Sequence, residues 1–398
     1  MTYKQDPLYS ELIEYMPWLV TFRRDLHEFP ELSEMEYRTQ EKLMDALKEL
    51  NINHYPSAGT GICGVLLAPN SELTIGLRAD IDALPIQEIN ELSYKSKVPS
   101  VMHACGHDVH ATIQLGVARY FAQNPEKLKC NLKFFFQPAE ETVGGAERMV
   151  SEGVMEKPTV DYVLGLHVMP YMPVGSIEIR DGKLNAASDT FYIKINGKSA
   201  HGAYPEKGVD AIVIAAQVIQ GLQTLITRNI SPLDQAVITI GKINGGVKDN
   251  IICDEVILSG GMRTTDEKTR EFLKTKMANF VALTCQSYGG KGIVEFEPGY
   301  KALINDNEVV QILREISHNF LGKDNVAEKE HPSLGVEDFS YFLDKAKGAF
   351  YHLGCGFGDS KSGALHTQDF MIDEACIVLG VYLQIKWIEG IVSYHQGK

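Results

Sequence analysis

The sequence has little positive charge for its acidic content, and it has few cysteines. Lys and Arg number 38 against 52 Asp and Glu, which leaves a formal net charge of −14. This balance disfavours nucleic acid and anionic membrane surfaces as partners, because both are polyanions. We expect no membrane-spanning helix, since no apolar run approaches the roughly 18 residues that one needs. The first residues also lack the apolar stretch of a signal peptide, so we expect a cytoplasmic protein.

A chain of 398 residues can build a core without covalent cross-links, and its length predicts more than one domain. Hydrophobic residues make up 44% and charged residues 23%, which excludes disordered, collagen-like and coiled-coil chains. The cysteines are odd in number and scattered, so we expect reduced thiols rather than a disulfide framework. They are Cys63, Cys105, Cys130, Cys253, Cys285, Cys355 and Cys376.

Strand-like and helical patterns alternate along the first part of the chain, which is typical of an α/β sheet. We predict strands at 73–77, 132–136 and 162–166 and helices at 11–28, 36–50, 109–123 and 145–153.

The middle of the chain has a different pattern. Half-exposed strands are predicted at 190–195, 236–240 and 255–259, with helices at 210–228 and 266–287. After Pro298 the first pattern returns, with helices at 306–321 and 372–391 and a strand at 349–353. We therefore predict one sheet domain, formed by 1–182 and 297–398, and an α+β domain inserted at 183–296.

A glycine-rich segment at residues 59–64 matches the dinucleotide-binding pattern G-x-G-x-x-G. That pattern needs a helix after the glycines, whose N-terminus binds the pyrophosphate. Here an apolar run that ends at Pro69 follows, and it predicts a strand. We interpret these glycines as turn residues, which argues against a nucleotide-dependent enzyme.

Metal-ligand side chains follow the predicted strands. Asp80 and Asp82 come after the first strand and face the same way, because residues i and i+2 of an extended chain share a face. Glu140 and Glu141 follow the second strand, and His167 ends the third. Solvated loop aspartates, an acidic helix start and a core histidine are the structural alternatives. Their common position favours a site, because ligands bind at the carboxyl ends of strands in open α/β sheets.

The densest cluster is M-H-A-C-G-H-D-V-H at residues 102–110, with three histidines, one cysteine and one aspartate. These are transition-metal ligands, although a His-rich helix start is the structural alternative. Cys105 and His107 flank a glycine, so both side chains can converge on one point. We expect a helix to begin near Asp108 and its N-terminal amides to favour the Cys105 thiolate. His366, in G-A-L-H-T, is ambiguous by itself.

Six segments together resemble the aminoacylase/carboxypeptidase metallohydrolases. They are RRDLHEFPELS (23–33), RADIDALP (78–85), MHACGHDVH (102–110), FQPAEE (136–141), GLHVMP (165–170) and KSAHGAYPEKGVDA (198–211). The most similar branch includes hippurate hydrolase, auxin-conjugate hydrolases and N-acetyldiaminopimelate deacetylase. The resemblance implies a mixed-sheet α/β, phosphorylase/hydrolase-like catalytic domain with two divalent metal ions. It also implies that 183–296 is a ferredoxin-like α+β lid domain through which a homodimer forms.

The resemblance also implies roles for individual residues. Glu140 matches the general base, and Asp82 the acid that orients the site. His201 matches a lid histidine that reaches the partner subunit's site and polarises the scissile carbonyl. Asn250 and Arg263 match lid residues that hold the substrate's carboxylate. The matched metal ligands are Cys105, His107, Glu141, His167 and His366.

Two of these positions depart from the usual pattern. Cys105 stands where most relatives have a metal-bridging aspartate. Ile-Ile-Cys follows Asn250 where the usual lid motif has Val-Ile-Pro, which weakens the assignment of Asn250 but not the chemistry. Residues 337–339 match another family segment near the site.

These residues predict a metal-dependent amidohydrolase that cleaves N-acyl-L-amino acids, N-acetyl or aryl-acyl, to a carboxylate and a free amino acid. Glu140 would take a proton from metal-activated water and pass it to the leaving amine. Manganese or zinc is expected, and cobalt or nickel also suits the ligands. An N-acetyldiaminopimelate deacetylase and a dipeptidase or carboxypeptidase are the alternative enzymes. An inactive binding homologue is disfavoured, because every matched ligand and base position is filled.

Overall fold

The computed structural model describes residues 3–358 and 362–397, and the chain forms two compact units. The first comprises Met1–Gly182, Ile304–Glu330 and Asp338–Lys398, and the second comprises Lys183–Leu303 and His331–Glu337. Segment 331–337 belongs to the second unit because it is tied to that unit's backbone: Ser333 N donates to Leu184 O at 2.8 Å. The second unit thus extends beyond the predicted 183–296.

A mixed eight-stranded sheet forms the centre of the first unit. Its strands are β1 (Asn53–Ser57), β2 (Gly61–Leu66), β3 (Thr74–Asp80), β4 (Asn131–Gln137), β5 (Tyr162–Pro173), β6 (Ile177–Ile179), β15 (Val326–Glu328) and β16 (Lys347–Gly356). Their order is β1-β2-β4-β3-β5-β16-β6-β15. The four strands β4, β3, β5 and β16 are parallel neighbours. Every residue of β3 and β4 is buried, as is typical of central parallel strands that are covered on both faces.

The helices of the first unit are α1 (Pro7–Ile13), α2 (Met16–Glu28), α3 (Tyr37–Glu49), α4 (His107–Gln123), α5 (Gly145–Ser151), α8 (Asn307–Leu321), α9 (Ser340–Leu343) and α10 (Ala375–Gln396). Helices α4 and α10 approach each other closely at two glycines. A Cβ added to Gly116 of α4 would lie 2.5 Å from Val381, and one added to Gly380 of α10 would lie 2.5 Å from Ile113. This contact fixes α4, whose first turn carries the predicted metal-binding segment.

The second unit contains a four-stranded antiparallel sheet with two helices. In chain order its elements are β8 (Ala187–Asn196), α6 (Ala211–Asn229), β10 (Ala236–Gly245), β12 (Glu255–Thr264), α7 (Glu267–Ser287) and β13 (Lys291–Pro298). The strand order β10-β12-β8-β13 with this βαββαβ chain order is ferredoxin-like, as predicted. Alternate residues of β8 face the helices and form the core of the unit. The remaining short strands are β7 (Gly182–Asn185), β9 (Ala200–His201), β11 (Ile251–Ile252) and β14 (Leu303–Asn305).

Helices α6 and α10 are long and apolar enough to cross a membrane by length and composition. The expectation that no apolar stretch approaches this length is therefore wrong for these two helices. The core helix of a globular protein passes the same test, and 78% of the apolar window of α10 is buried inside the first unit. Only 33% of the corresponding window of α6 is buried.

Three local predictions differ from the structure. The helix predicted at 11–28 is divided into α1 and α2, because Pro17 lies in the first turn of α2 and lacks the amide proton that a continuous helix needs. The glycine-rich segment joins β1 to β2 in an antiparallel hairpin, so no helix follows it and the dinucleotide interpretation is excluded. His167 lies inside β5 rather than at its end, because pairing with β16 extends β5 to Pro173.

Candidate active site

Neighbouring parallel strands bring the predicted ligands to one edge of the sheet. Strands β4, β3 and β5 lie side by side. Asp80 ends β3 and Asp82 follows it, while Glu140 and Glu141 follow β4. His167, inside β5, is in register with His352 of β16. The acidic side chains and the histidine therefore meet where β3 and β4 end.

The start of α4 directs Cys105 and His107 into the same place. Gly106 between them has a φ of +83°, in the left-handed region that favours glycine. A Cβ on Gly106 would also lie only 2.4 Å from Cγ2 of Val168. Only glycine satisfies both conditions, and the turn that it allows places the ligand atoms of Cys105, His107 and His167 within 4.8 Å of one another.

Two groups of three ligand atoms share the sulfur of Cys105. One group adds His107 and His167, and the other adds Glu141 and His366. Cys105 Sγ lies 3.2 Å from Nε2 of His167 and 3.2 Å from Nε2 of His366. His366 Nε2 lies 3.1 Å from Glu141 Oε1. This arrangement offers two neighbouring metal positions with one bridging sulfur.

Hydrogen bonds fix which nitrogen of each buried histidine faces the cluster. His107 Nδ1 lies 3.0 Å from Asp82 Oδ1, and His167 Nδ1 lies 2.7 Å from Val168 O. Because both oxygens only accept, the neutral form of each ring carries its proton on Nδ1, and its Nε2 lone pair then faces Cys105 and Glu141. Among the described residues, His107 Nε2 has no hydrogen-bond partner. A buried ligand atom in this state fits a bound cation.

The electrostatics of the cluster also fit a cation. Burial, together with the carboxylates of Glu141, Glu140 and Asp80, raises the pKa of the Cys105 thiol well above its usual range. These effects outweigh the expected influence of the helix start, so a thiolate here needs positive charge beside it. Burial opposes protonation of His107, but the carboxylates of Asp80 and Asp82 outweigh it and raise its pKa to about 10. The cluster therefore has an excess of negative charge.

Asp82 connects two of these ligands. Its Oδ1 lies against His107, while its Oδ2 accepts hydrogen bonds from Glu141 N at 3.0 Å and from Ser33 Oγ at 2.7 Å. Burial opposes ionisation of Asp82, but the hydrogen bond with His107 outweighs it and lowers the pKa of Asp82. Glu140 lies beside this pair, in a group of ligand-type atoms with His107 and Glu141.

Residues 76–389 match the sequence profile of peptidase family M20/M25/M40. The chain belongs to this family. The resemblance and the fold class predicted from the sequence are thereby confirmed. The protein is an M20-family hydrolase that acts on amide bonds.

Relatives and solved structures cover nearly all of the chain. It is 38% identical over 365 residues to the N-acetyl-L-cysteine deacetylase of Bacillus subtilis (strain 168), which covers 92% of this chain and 86% of that protein. It is 37% identical over 372 residues to the N-acetyldiaminopimelate deacetylase of Priestia megaterium, with coverage of 93% and 97%. The crystal structure of the Bacillus subtilis YXEP protein, a dinuclear metal binding peptidase from the M20 family, has a TM-score of 0.84 at 30% identity. The similarity covers 96% of this chain and 99% of that one.

His110, for which no individual role was predicted, contacts Asp80 and the backbone beside the M20-family ligand cluster. His110 Nδ1 lies 2.6 Å from Asp80 Oδ1, and Val168 N donates to His110 Nε2 at 2.9 Å. Both ring nitrogens are thus engaged, and His110 holds the backbone beside His167. Arg78 in turn donates to Asp80 Oδ2 at 2.6 Å. The sequence gives one indication of this role: Asp80 and His110 lie in the segments 78–85 and 102–110, which also carry the predicted site residues.

A second buried group lies beside the ligand cluster. Arg23 Nε and His27 Nδ1 lie 2.7 and 2.9 Å from Asp108 Oδ2. Burial opposes ionisation of Asp108, but the charge of Arg23 outweighs it and holds the pKa of Asp108 well below its usual range. These contacts explain why the segment 23–33 belongs to the motif set, since they anchor the residue that follows His107. His103 is also buried, and neither of its ring nitrogens is hydrogen-bonded within the described residues.

The predicted lid residues His201, Asn250 and Arg263 all lie in the second unit. His201 in β9 pairs with Ile251 of β11. Asn250 is adjacent, because its carbonyl accepts from Gly202 N at 2.8 Å. Arg263 lies on β12 of the main sheet of that unit. The structure therefore brings His201 and Asn250 together, and the roles of all three residues stay predictions.

Proposed function

We propose that this protein hydrolyses the amide bond of N-acyl-L-amino acids, with two divalent metal ions in the Cys105 cluster and Glu140 as general base. The observation that carries the proposal is the pair of ligand groups that share Cys105, with Glu140 in a third group beside them. The relatives named as deacetylases of N-acetylated amino acids support this substrate class. A cytoplasmic location is part of the proposal, and the buried unpaired cysteines are compatible with it.

The donor set suits two divalent cations. Cys105, His107 and His167 would hold one ion, and Cys105, Glu141 and His366 would hold the other. When bound, the ions would supply Lewis-acid activation of water and of the scissile carbonyl. A thiolate ligand favours zinc, whereas imidazoles and carboxylates also bind manganese, cobalt or nickel. We propose manganese or zinc as the physiological metal.

Glu140 would take a proton from the attacking water on a carboxylate oxygen and deliver it to the nitrogen of the leaving amine. The water oxygen forms a bond to the acyl carbon, and the bond between that carbon and the amine nitrogen breaks, which gives a carboxylate and a free amino acid. Asp82 would not transfer protons, because its two oxygens are engaged by His107, Glu141 and Ser33. Its role would be to orient His107 and the backbone of Glu141.

Three residues of the second unit would bind the substrate. Ala203 N donates to His201 Nδ1 at 3.1 Å, so a neutral His201 has its proton on Nε2, where it can donate to the carbonyl oxygen. The guanidinium of Arg263 suits the substrate's carboxylate, because its planar array of donors matches two oxygens. Its Nη1 already donates to Leu334 O at 2.7 Å, which orients the side chain. Asn250, next to His201, would donate to the same carboxylate.

A homodimer formed through the second unit is also part of the proposal. Strand β10 is at the edge of the four-stranded sheet, and residues 241–247 are exposed. Helix α6 packs against β10 and has no charged residue from 211 to 227, and Ile212 and Val213 are 48% and 47% exposed. An exposed edge strand beside an uncharged helix face favours pairing with the same surface of a second copy of the chain.

Two other substrate classes would use the same metal cluster. An N-acetyldiaminopimelate deacetylase needs groups that bind a distal ammonium and carboxylate, and a dipeptidase or carboxypeptidase needs space for a peptide. An inactive binding homologue is disfavoured, because the ligand groups and Glu140 are complete. Relatives named as an N-acetyldiaminopimelate deacetylase and as a carboxypeptidase are both 37% identical to this chain, so a panel of substrates must select among the classes.

The test is amine release from N-acetyl, N-benzoyl, diaminopimelate and dipeptide substrates by metal-stripped protein resupplied with manganese or zinc. We expect metal-dependent release, and the substrate hydrolysed fastest selects among the alternatives. Glu140→Gln should abolish most turnover and keep its metal content, because Glu140 is in neither of the two ligand groups that contain Cys105. Unchanged turnover in that variant would refute the assignment of Glu140 as base. No release from any substrate by folded, metal-loaded protein would refute the amidohydrolase.

Mixed dimers test whether His201 acts in the partner's site. Glu140→Gln and His201→Ala proteins should each be inactive, and mixing them should restore activity at sites that combine one intact residue from each chain. No recovery after verified subunit exchange would contradict action across the dimer. Ala216→Glu, on the exposed face of α6, should give a monomer by light scattering. The matched control Ala282→Glu, on the exposed face of α7, should stay dimeric.

A further inference from the structure

The glycine-rich turn between β1 and β2 has no part in the proposed chemistry, but it lies against the segment that carries Glu140. Gly59 in this turn has a φ of +81°. A Cβ on Gly61 would lie 2.6 Å from Cδ of Pro138 and 2.9 Å from the carbonyl oxygen of Phe136. Gly61 is therefore required because the turn touches the backbone that leads to Glu140.

Glu36 connects this turn to the Glu140 segment. Its side chain is fully buried, at 0% exposure. Thr60 Oγ1 donates to Glu36 Oε2 at 2.5 Å, and Ala139 N donates to Glu36 Oε1 at 2.9 Å. Glu36 directly precedes α3, yet its carboxylate makes no capping bond to that helix. Instead it bridges two separate loops, one of which holds the residue before the general base.

Gln40, one turn into α3, holds the same glycine-rich turn from another side. Its Nε2 donates to the carbonyl oxygens of Gly59 and Gly61, at 3.0 Å in each case. The turn is thus fixed to α3 through its backbone by Gln40 and through Thr60 by Glu36. Because both contacts come from the start of one helix, Thr60 is presented to Glu36 in a single position.

Ala139 needs such support, because its backbone is strained. Its φ of +56° lies in the left-handed region, which costs a non-glycine residue on the order of 1–3 kcal/mol. Its carbonyl accepts from Gly144 N at 3.0 Å, and its amide is held by Glu36. On the other side of Glu140, the amide of Glu141 donates to Asp82. Two buried carboxylates therefore hold the amides immediately before and after Glu140.

We propose that Glu36 is a positioning residue for the general base: with Asp82 it clamps the backbone on both sides of Glu140. The inference rests on the proposed function of Glu140. Thr60 belongs to the same device, because it holds the second oxygen of Glu36 and so stops the carboxylate from turning away from Ala139. The role of the glycine-rich turn would thus be to place Thr60 within hydrogen-bonding distance of Glu36.

The clamp matters for rate because proton transfer depends on distance. A general base must lie about 2.6–3.2 Å from the proton's heavy atom. A shift of about 1 Å can reduce the rate by about 100-fold. If Ala139 relaxed out of its left-handed conformation, the Cα of Glu140 would move with it. The metal ligands would be less affected, since Asp82 still holds Glu141.

Two substitutions at Glu36 distinguish the effect of its hydrogen bonds from the effect of its packing. Glu36→Ala removes both hydrogen bonds. Glu36→Gln keeps the shape: its oxygen can accept from Ala139, and its amide can donate to the Thr60 hydroxyl. Burial raises the pKa of Glu36, so a neutral side chain is tolerated at this position. Glu152→Ala is the matched control, because Glu152 Oε2 accepts from Ser57 Oγ and Ala58 N of the same turn, each at 2.7 Å, without bonding Ala139.

The variants are compared by kcat, KM and metal content with the best substrate, and by hydrogen–deuterium exchange of the peptide that contains Ala139 and Glu141. Glu36→Ala should lower kcat about 10- to 100-fold with little change in KM or metal content. Exchange at this peptide should become faster. Glu36→Gln should restore both kcat and slow exchange, and Glu152→Ala should resemble the wild type in both.

Wild-type kcat and exchange in Glu36→Ala would overturn the proposal. An equal loss of kcat in Glu152→Ala would also overturn it, because the effect would then be general destabilisation of the turn. If Glu36→Ala does not fold, Thr60→Val takes its place with the same readouts and a smaller expected loss. A wild-type protein that hydrolyses no substrate would refute the proposed function, whereas the exchange rates at Ala139 would still decide on the clamp.

Discussion

Gly106→Ala should destabilise the first unit and disrupt its ligand cluster. The left-handed backbone of Gly106 costs an L-residue about 1–2 kcal/mol. The new methyl would lie 2.4 Å from Val168 Cγ2, and overpacking of this kind costs about 1–3 kcal/mol more. Together these terms predict a loss of about 2–5 kcal/mol in the free energy of unfolding. Because Gly106 separates Cys105 from His107, the relaxed variant should also bind less metal.

Urea unfolding followed by tryptophan fluorescence measures this loss. The only two tryptophans, Trp18 and Trp387, are both in the first unit, so the signal reports on that unit. Gly59→Ala is the control, because Gly59 has a similar φ of +81° but no atom within 4 Å of an added Cβ. It should lose only the backbone cost of about 1–2 kcal/mol.

A double substitution then tests the cause of the difference. Val168→Ala removes the methyl that the new Cβ would meet, so Gly106→Ala should cost less in that background. Equal losses for Gly106→Ala and Gly59→Ala would refute the reasoning, because the close approach to Val168 would then contribute nothing. Full metal content in Gly106→Ala would refute the link between this glycine and the ligand cluster.

Further predictions concern pH, metal and oxidation. Burial opposes ionisation of Glu178, but hydrogen bonds from His352 and Lys329 outweigh it and lower its pKa to about 2. The stabilisation by ionised Glu178 is therefore present above pH 4.5 and is lost as the pH falls towards 2. The urea midpoint should fall less over this interval in Glu178→Gln than in the wild type. Equal falls of the midpoint in the two proteins would contradict this. Metal-stripped protein should melt at a lower temperature than protein resupplied with manganese or zinc, because a ligand of the folded state stabilises it, and identical calorimetric transitions would argue against a metal site. Peroxide at concentrations that oxidise free thiols should inactivate the enzyme through Cys105, and full activity after treatment would exclude that sensitivity.

The convergence of the ligands could be predicted because it depends on local rules. Apolar runs identified β3, β4 and β5, and the exits of parallel strands meet at one edge of a sheet. Asp82 and Glu141 are therefore expected to be close, although 59 residues separate them. The glycine between Cys105 and His107 also predicted that both side chains can face one point. In each case the pattern needs only a few neighbouring residues to be read.

The supporting contacts could not be predicted, because they depend on partners that no local pattern specifies. Glu36 precedes a helix, where a carboxylate usually caps the helix, but its partner Ala139 is 103 residues away. The extension of β5 to Pro173 depends on pairing with β16, and segment 331–337 joins the second unit through contacts with Leu184 and Arg263, which are distant in sequence. His110 lies in the histidine-rich segment 102–110, and no local pattern indicates that Asp80 and Val168 engage both nitrogens of its ring.

The position of β16 has a consequence for how the protein is made. Strand β16 lies between β5 and β6 in the sheet, although it follows them by more than the length of the whole second unit. During synthesis β5 leaves the ribosome long before its parallel neighbour exists, so its edge stays open while the ferredoxin-like unit is completed. The sheet can close only after residue 356 has emerged, and His366 follows later still. Binding of metal by the complete proposed ligand set would thus follow the pairing of β16, and chains truncated before β16 should expose the edge of β5 and aggregate.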